Sequence, residues 1–203
     1  MNRERTIRPA LRAWLGAALV PLALATAACG SGEDAEPALL STDGETLYQA
    51  IARHRDLGVV SEALSIAQLN EVFDGAGSYT VLAPNDAAFD ALGTTGAQLL
   101  TVEERPLLIG LLREHVLPGH VTPEAILTAI ETGGGSATMT TLGTGTVRFA
   151  LDGETIVATH SNGASARFAD EAVESGNGVA IPIDAMLTAP DTVQGTDADP
   201  VDQ

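Results

Sequence analysis

TVLAPNDAAFDAL, residues Thr80–Leu92, changes its periodicity at the midpoint, and that change sets the fold class. With Ser78 and Tyr79 before it, the first half is a short apolar run closed by Pro84, the pattern of a strand. Asn85 and Asp86 then offer side-chain oxygens to the unpaired N–H groups that open a helix. Phe89 and Leu92 share one face of that helix, and Gly93 stops it.

Upstream the pattern is helical. Thr42-Asp43-Gly44-Glu45 has the form of a capping box ahead of Leu47, Ala50, Ile51 and His54, which share a face. His54 stands between Arg53 and Arg55 near the helix end, where a histidine interacts favourably with the dipole at the surface. Val60, Leu64 and Phe73 predict a second helix ended by Gly75. Downstream, a helix starting near Arg105 or Pro106 carries Leu107, Leu108, Leu111, Leu112 and His115.

After Gly119 the character changes. ATMTTL, GTVRFAL, ETIVATH and ASARF are short runs rich in β-branched residues, punctuated by Gly143, Asp152-Gly153 and Ser161-Asn162-Gly163, which are hairpin signals. Pro182 confines the last run, GVAIPIDAML, to an edge or a bulge at that point. Helices followed by a meander give an α+β fold.

The ends of the chain read differently. MNRERTIRPALR is basic, AWLGAALVPLALATAA is apolar, and the two form an export signal over residues 1–28. The apolar run is too short for a bilayer span of ~20 residues. Cys29, the only cysteine, follows it directly, in a sequence that resembles a lipobox with Thr26 where Leu is usual. Lipidation of Cys29 would anchor the protein to a bacterial membrane, and Gly30, in place of a retention Asp, favours the outer membrane. The alternative is cleavage after Ala25-Thr26-Ala27, leaving a free thiol. Residues 29–41 read as a flexible tether, 42–190 as one domain, and 191–203 as an acidic, disordered tail.

Charge excludes one class of partner. The net charge is −17, and every basic residue among the ten is arginine. Residues 29–203 carry 6 arginines against 26 acids, a formal −20 that repels phosphate backbones, so nucleic acid is not expected.

LLREHVLPGHV, Leu111–Val121, gathers Glu114, His115 and His120, the best candidates for chemistry. At 100° per residue His115 falls about 20° from Leu108, inside the apolar stripe, which suits a core histidine bonded to backbone. Glu114 lies about 100° from His115, towards the edge, where its carboxylate can stay in water. His120 lies beyond Pro118-Gly119, so nothing directs it towards His115. His160 sits near a predicted hairpin tip, and a zinc site needs three or four converging ligands, so no metal or cofactor is expected. Ser136 lacks the frame of a nucleophile elbow, and GTGTVR, Gly143–Arg148, lacks the third glycine of a phosphate loop. No catalytic constellation stands out, although a periplasmic enzyme using Glu114 with His115 or His120, and a carrier of a small apolar ligand, are the alternatives to a binding module.

Three stretches in order resemble a known family. TVLAPNDAAFDAL resembles the first motif of fasciclin (FAS1) domains, LLREHVLPGHV their tyrosine–histidine segment, and GNGVAIPIDAML (Gly176–Leu187) their final motif. The resemblance implies two small β-sheets packed with a cluster of helices in the N-terminal half. It also implies an extracellular or membrane-anchored module for adhesion to a protein or polysaccharide of the envelope. Thr80, Ala83, Pro84, Asn85, Asp86, Phe89, His115, Pro118, Gly119, Asn177, Gly178 and Asp184 match motif positions and are expected to be structural. Glu114, His115 and His120 are the partner-contact candidates. Glu114 stands where the motif has tyrosine, and Ile181-Pro182 where it has His-Val, so the receptor role of the animal motif is not carried over.

Overall fold

A computed structural model describes residues 44–189. Cys29 and the segments expected to be an export signal, a tether and an acidic tail lie outside them. Helix α1, Leu47–Arg53, begins at Thr46: its hydroxyl accepts from Gln49 N–H at 3.3 Å while Gln49 Oε1 accepts from Thr46 N–H at 3.4 Å. The capping box of α1 is Thr46–Gln49; Thr42 and Asp43 of the expected box lie outside the described residues. The predicted second helix is two: α2, Gly58–Ile66, and α3, Asn70–Phe73. They are separated by Gln68, whose φ of 57° no helix accommodates.

Asn85 and Asp86 divide their work. Asn85 Oδ1 accepts from Ala88 N–H at 2.9 Å and caps α4, Asp86–Asp90. Asp86 instead turns to α2, which has no side-chain cap of its own, and accepts from Val59 N–H at 2.9 Å. This corrects the expectation that both residues cap the same helix. Two more helices follow, α5 at Thr94–Leu99 and α6 at Arg105–Arg113, the latter with Pro106 in its first turn.

The first sheet runs in the order β2-β1-β8-β7, with β1 at Tyr79–Pro84, β2 at Val116–Pro118, β7 at Val173–Ser175 and β8 at Gly178–Ile183. Its centre is the parallel pair β1–β8, in register from Tyr79 opposite Gly178 to Pro84 opposite Ile183. Val81, Ala83 and Ala180 pack with Leu47, Ile51, Leu64, Phe73 and Leu108 of the helices. Leu82, Val179, Ile181 and Ile183 face the other way, into a second core. Burial on both faces explains why these strands read as unbroken apolar runs and not as alternation.

The strand that carries Pro182 is interior to the sheet, but at residue 182 no strand pairs with it on the β7 side, which is the local edge expected there. The proline ring is tolerated because β7 pairs only with Gly178–Ala180 and has ended by residue 182. Past that end the Pro182 carbonyl accepts from Ala169 N–H at 2.9 Å, so the ladder loses no bond for want of the proline N–H.

The second sheet is the predicted meander, order β3-β4-β5-β6: Ser136–Thr140, Thr146–Asp152, Thr155–His160 and Ser165–Arg167. Val147, Phe149, Ile156 and Ala158 turn one face inward against Leu82 and Ile181. A helix that the sequence reading passed over, α7 at Pro123–Thr132, closes this core with Ile126 and Ile130. Thr122 caps it by accepting from Ala125 N–H at 3.3 Å. The first sheet is thus covered by helices on one face and by the second sheet on the other.

Candidate functional site

Helix α6 ends at Glu114, whose side chain turns inward and not towards water. Glu114 is 8% exposed, and this corrects its placement at a solvated helix edge. The β3–β4 turn, Thr141–Gly145, wraps its carboxylate. Oε1 accepts from Thr144 N–H at 2.7 Å and from the Thr144 hydroxyl at 3.2 Å. Oε2 accepts from the Thr141 hydroxyl at 2.7 Å, from Gly145 N–H at 3.0 Å and from His160 Nε2 at 3.1 Å. Burial alone would raise the carboxyl, but these donors outweigh it and hold Glu114 at about 2.

The turn must be glycine-rich for this to fit. A Cβ on Gly143 would overlap the Glu114 carboxylate, and one on Gly145 would overlap the His160 ring. The turn is also fastened to α6 and β2 by its backbone: Gly143 N–H donates to Arg113 O at 3.0 Å and Leu142 N–H to Val116 O at 2.8 Å. GTGTVR thus holds an anion after all, and the anion is the protein's own carboxylate.

His160 is the second member, brought from the end of β5 and buried. Its Nδ1 accepts from Asn162 N–H at 3.3 Å, so Nε2 carries the proton that it donates to Glu114. His115 belongs to a separate network. It is 1% exposed; Nδ1–H donates to Leu111 O at 2.9 Å and Nε2 accepts from Leu187 N–H at 2.9 Å. Burial lowers its pKa to about 4, against the opposing pull of the Leu111 carbonyl. All four ring nitrogens are occupied within the fold, leaving neither histidine a nitrogen with which to take a substrate proton.

The other candidates scatter. His120 is exposed and faces Glu174 at 3.7 Å, apart from the Glu114–His160 pair. Asp184 is exposed and accepts from the backbone N–H of Arg167 at 2.7 Å. Thr80 is fully buried, donating to Gly119 O and accepting from Val121 N–H, both at 2.8 Å, which ties β1 to the chain beyond Pro118. Asn177 is a buried junction: Oδ1 accepts from Leu47 N–H, and Nδ2 donates to the carbonyls of Phe73 and Gly75, each at 2.7 Å. Ala83 and Phe89 are core, while Pro84 and Gly178 sit in the β1–β8 ladder. Among the described residues no group of three or more His, Cys, Asp or Glu is placed to hold a metal ion.

Beside the pair opens a cleft of about 420 Å³ lined by Gly110, Arg113, Thr144, Ser161, Asn162 and Thr188 among others. Sequence reading missed His160 and this cleft. One signal was available: in TIVATH the strand period of two places His160 on the same face as Ile156 and Ala158.

The fasciclin domain model matches residues 56–189. This chain belongs to the fasciclin domain family. Its two small sheets and helices superpose on a FAS1 domain pair from the insect cell adhesion molecule fasciclin I with a TM-score of 0.64 and 14% identity, covering 73% of this chain and 52% of that one. At that identity the likeness is one of fold. Protein sll1483 from Synechocystis sp. is 33% identical over 78 residues, which are 38% of this chain and 43% of that protein. The chain therefore spans less than half the length of this relative. Fasciclin domains are generally adhesion and binding modules. In this fasciclin domain the residue at the motif's tyrosine position, Glu114, is an internal anchor for the β3–β4 turn.

Proposed function

We propose that this fasciclin domain is a lipid-anchored, extracytoplasmic binding module that contacts a protein or polysaccharide at a bacterial cell envelope. One observation carries the reading. The residues able to do chemistry, Glu114, His115 and His160, are bonded to one another or to backbone, whereas the adjoining cleft keeps polar groups unspent. A general base needs a free lone pair within reach of substrate, so the arrangement favours binding over catalysis. The polar lining likewise favours a hydrophilic partner over an apolar ligand.

The anchor rests on the sequence. An apolar run too short to span a bilayer precedes the single cysteine, Cys29. Diacylation there would hold the domain at the membrane, with residues 30–41 as tether. Among the described residues no helix is long and apolar enough to cross a membrane. The intact mass of membrane-extracted protein tests this part: acyl chains on Cys29 support it, and a free N-terminal Ala28 contradicts it.

A crosslinking pull-down from the organism's own envelope fraction tests the binding role. Retention of a specific protein or glycan at physiological salt is the expected result. A blank at both physiological and high salt would remove the support for adhesion.

A further inference from the structure

We infer that the cleft beside the Glu114 turn binds a hydroxylated carboxylate, the chemistry of a sugar acid. The inference rests on the binding-module reading and names the ligand class of that site.

Arg113 supplies the positive charge; the Glu114 carboxylate also lines the cleft, but both of its oxygens are engaged by the β3–β4 turn and His160. Arg53, Arg55 and Arg167 each lie within ion-pair distance of a carboxylate, but Arg113 has no such partner among the described residues. Its Nε donates to Leu142 O at 3.1 Å, which fixes the plane of the fork and leaves the two terminal nitrogens for a ligand. Arg105 and Arg148 likewise lack an acid partner among the described residues, so what sets Arg113 apart is its place on the cleft wall. Its planar fork matches a carboxylate through two parallel N–H···O bonds.

The rest of the wall supplies hydroxyl chemistry. Thr188 is 2% exposed; its Oγ1 accepts from Asn162 Nδ2 at 2.8 Å, and its own proton has no acceptor among the described residues. Asn162 cannot turn to take that proton, because its Oδ1 accepts from Ala164 N–H at 2.9 Å. Ser161 Oγ accepts from Thr146 N–H at 3.3 Å, and its proton is likewise uncommitted. A buried hydroxyl with an unspent proton on a cleft wall calls for an oxygen acceptor.

Shape and charge narrow the class. Apart from the His160 ring, whose two nitrogens are engaged within the fold, no aromatic and no branched apolar side chain lines the cleft, so a ligand carrying an apolar anchor gains little there. Its volume of about 420 Å³ falls in the usual range of roughly 300–1,000 Å³ for small-ligand sites. The formal −20 of residues 29–203 repels polyanions at long range. The fitting ligand is therefore an isolated uronic acid unit on an otherwise neutral glycan, and not a run of uronates.

The test uses the full chain purified in detergent, titrated with sodium glucuronate and followed by amide NMR. Glucose and sodium acetate serve as the probes that lack the carboxylate and the hydroxyls. Glucuronate is expected to shift Thr144, Gly145, Ser161 and Asn162 saturably, and to bind about tenfold or more tightly than either control. Arg113→Gln should lose about tenfold in glucuronate affinity, and Arg113→Lys, which keeps the charge without the fork, should lose most of the same. Thr188→Val should weaken binding without touching Arg113. The inference falls if glucuronate gives no saturable shift at those amides, if glucose or acetate binds equally well, or if Arg113→Gln binds like wild type with its melting temperature unchanged. A partner captured from the envelope but crosslinked elsewhere on the domain would overturn the cleft assignment and leave the binding-module reading standing.

Discussion

His160 Nε2 donates to Glu114 Oε2 at 3.1 Å across a sequence separation of 46 residues. The contact joins the end of α6 to the end of β5, and the β3–β4 turn closes over both. A carboxylate–imidazole pair resembles half of a catalytic triad, but here the second imidazole nitrogen accepts from Asn162 N–H. The pair is closed at both ends, and its work is to hold the turn.

Replacing either turn glycine tests that closure. Gly145→Ala places a methyl on the His160 ring, and Gly143→Ala places one on the Glu114 carboxylate. Neither neighbour can move without breaking its own bonds. Each variant should lose about 1–3 kcal/mol in a urea melt, the usual cost of overpacking. Wild-type melting of both would mean that the turn does not hold the carboxylate.

Asn177→Ala should be among the most costly single changes. It removes the acceptor of Leu47 N–H and the donor to Phe73 and Gly75, three bonds that tie α1, α3 and β8 together. A loss of about 2–4 kcal/mol in denaturant unfolding is expected, with the m-value unchanged. Asn177→Asp should fare no better, since it offers the two carbonyls no donor.

Acid should lower the stability of the domain over two pH windows. His115 has its folded pKa lowered by burial from 6.5 to about 4, so the unfolded chain takes up its proton first. Its contribution is complete above pH 6.5 and is lost as pH falls towards 4. Burial raises Glu114, but its donors prevail and lower it from 4.5 to about 2, so its contribution is lost between pH 4.5 and 2. Protonating the surface acids also relieves self-repulsion, so the comparison is made against a variant. His115→Ala should melt below wild type at pH 7 by about 3 kcal/mol of stability and should lack the fall between pH 6.5 and 4. A variant curve parallel to wild type through that window would contradict the buried, neutral state of His115.

Much of the fold was legible because local signals agreed with the tertiary result. The strand-to-cap-to-helix switch at Thr80–Leu92, the hairpin glycines and the α6 stripe each read correctly from spacing. What misled the reading was long-range. Pro182 reads as an edge residue and locally is one, but its strand is interior because β7 pairs further back, with Gly178–Ala180. Asp86 looks like a cap for its own helix until α2 is found beside it without one. A helical wheel of α6 alone leaves Glu114 in water, whereas its five donors come from residues 27 to 46 positions further on. A lone carboxylate at the edge of an apolar stripe carries no mark of partners that far away.

Glu114→Gln, melted at pH 7, tests the central claim most directly. The substitution keeps the shape, removes the charge, and turns an N–H₂ towards donors that need an acceptor. If Glu114 is the internal anchor of the turn, the variant should lose about 3 kcal/mol and unfold well below wild type, as expected when one partner of a buried, donor-held charge is removed. If it melts like wild type while abolishing a chemical activity of the domain, Glu114 is a reacting group and the account is wrong.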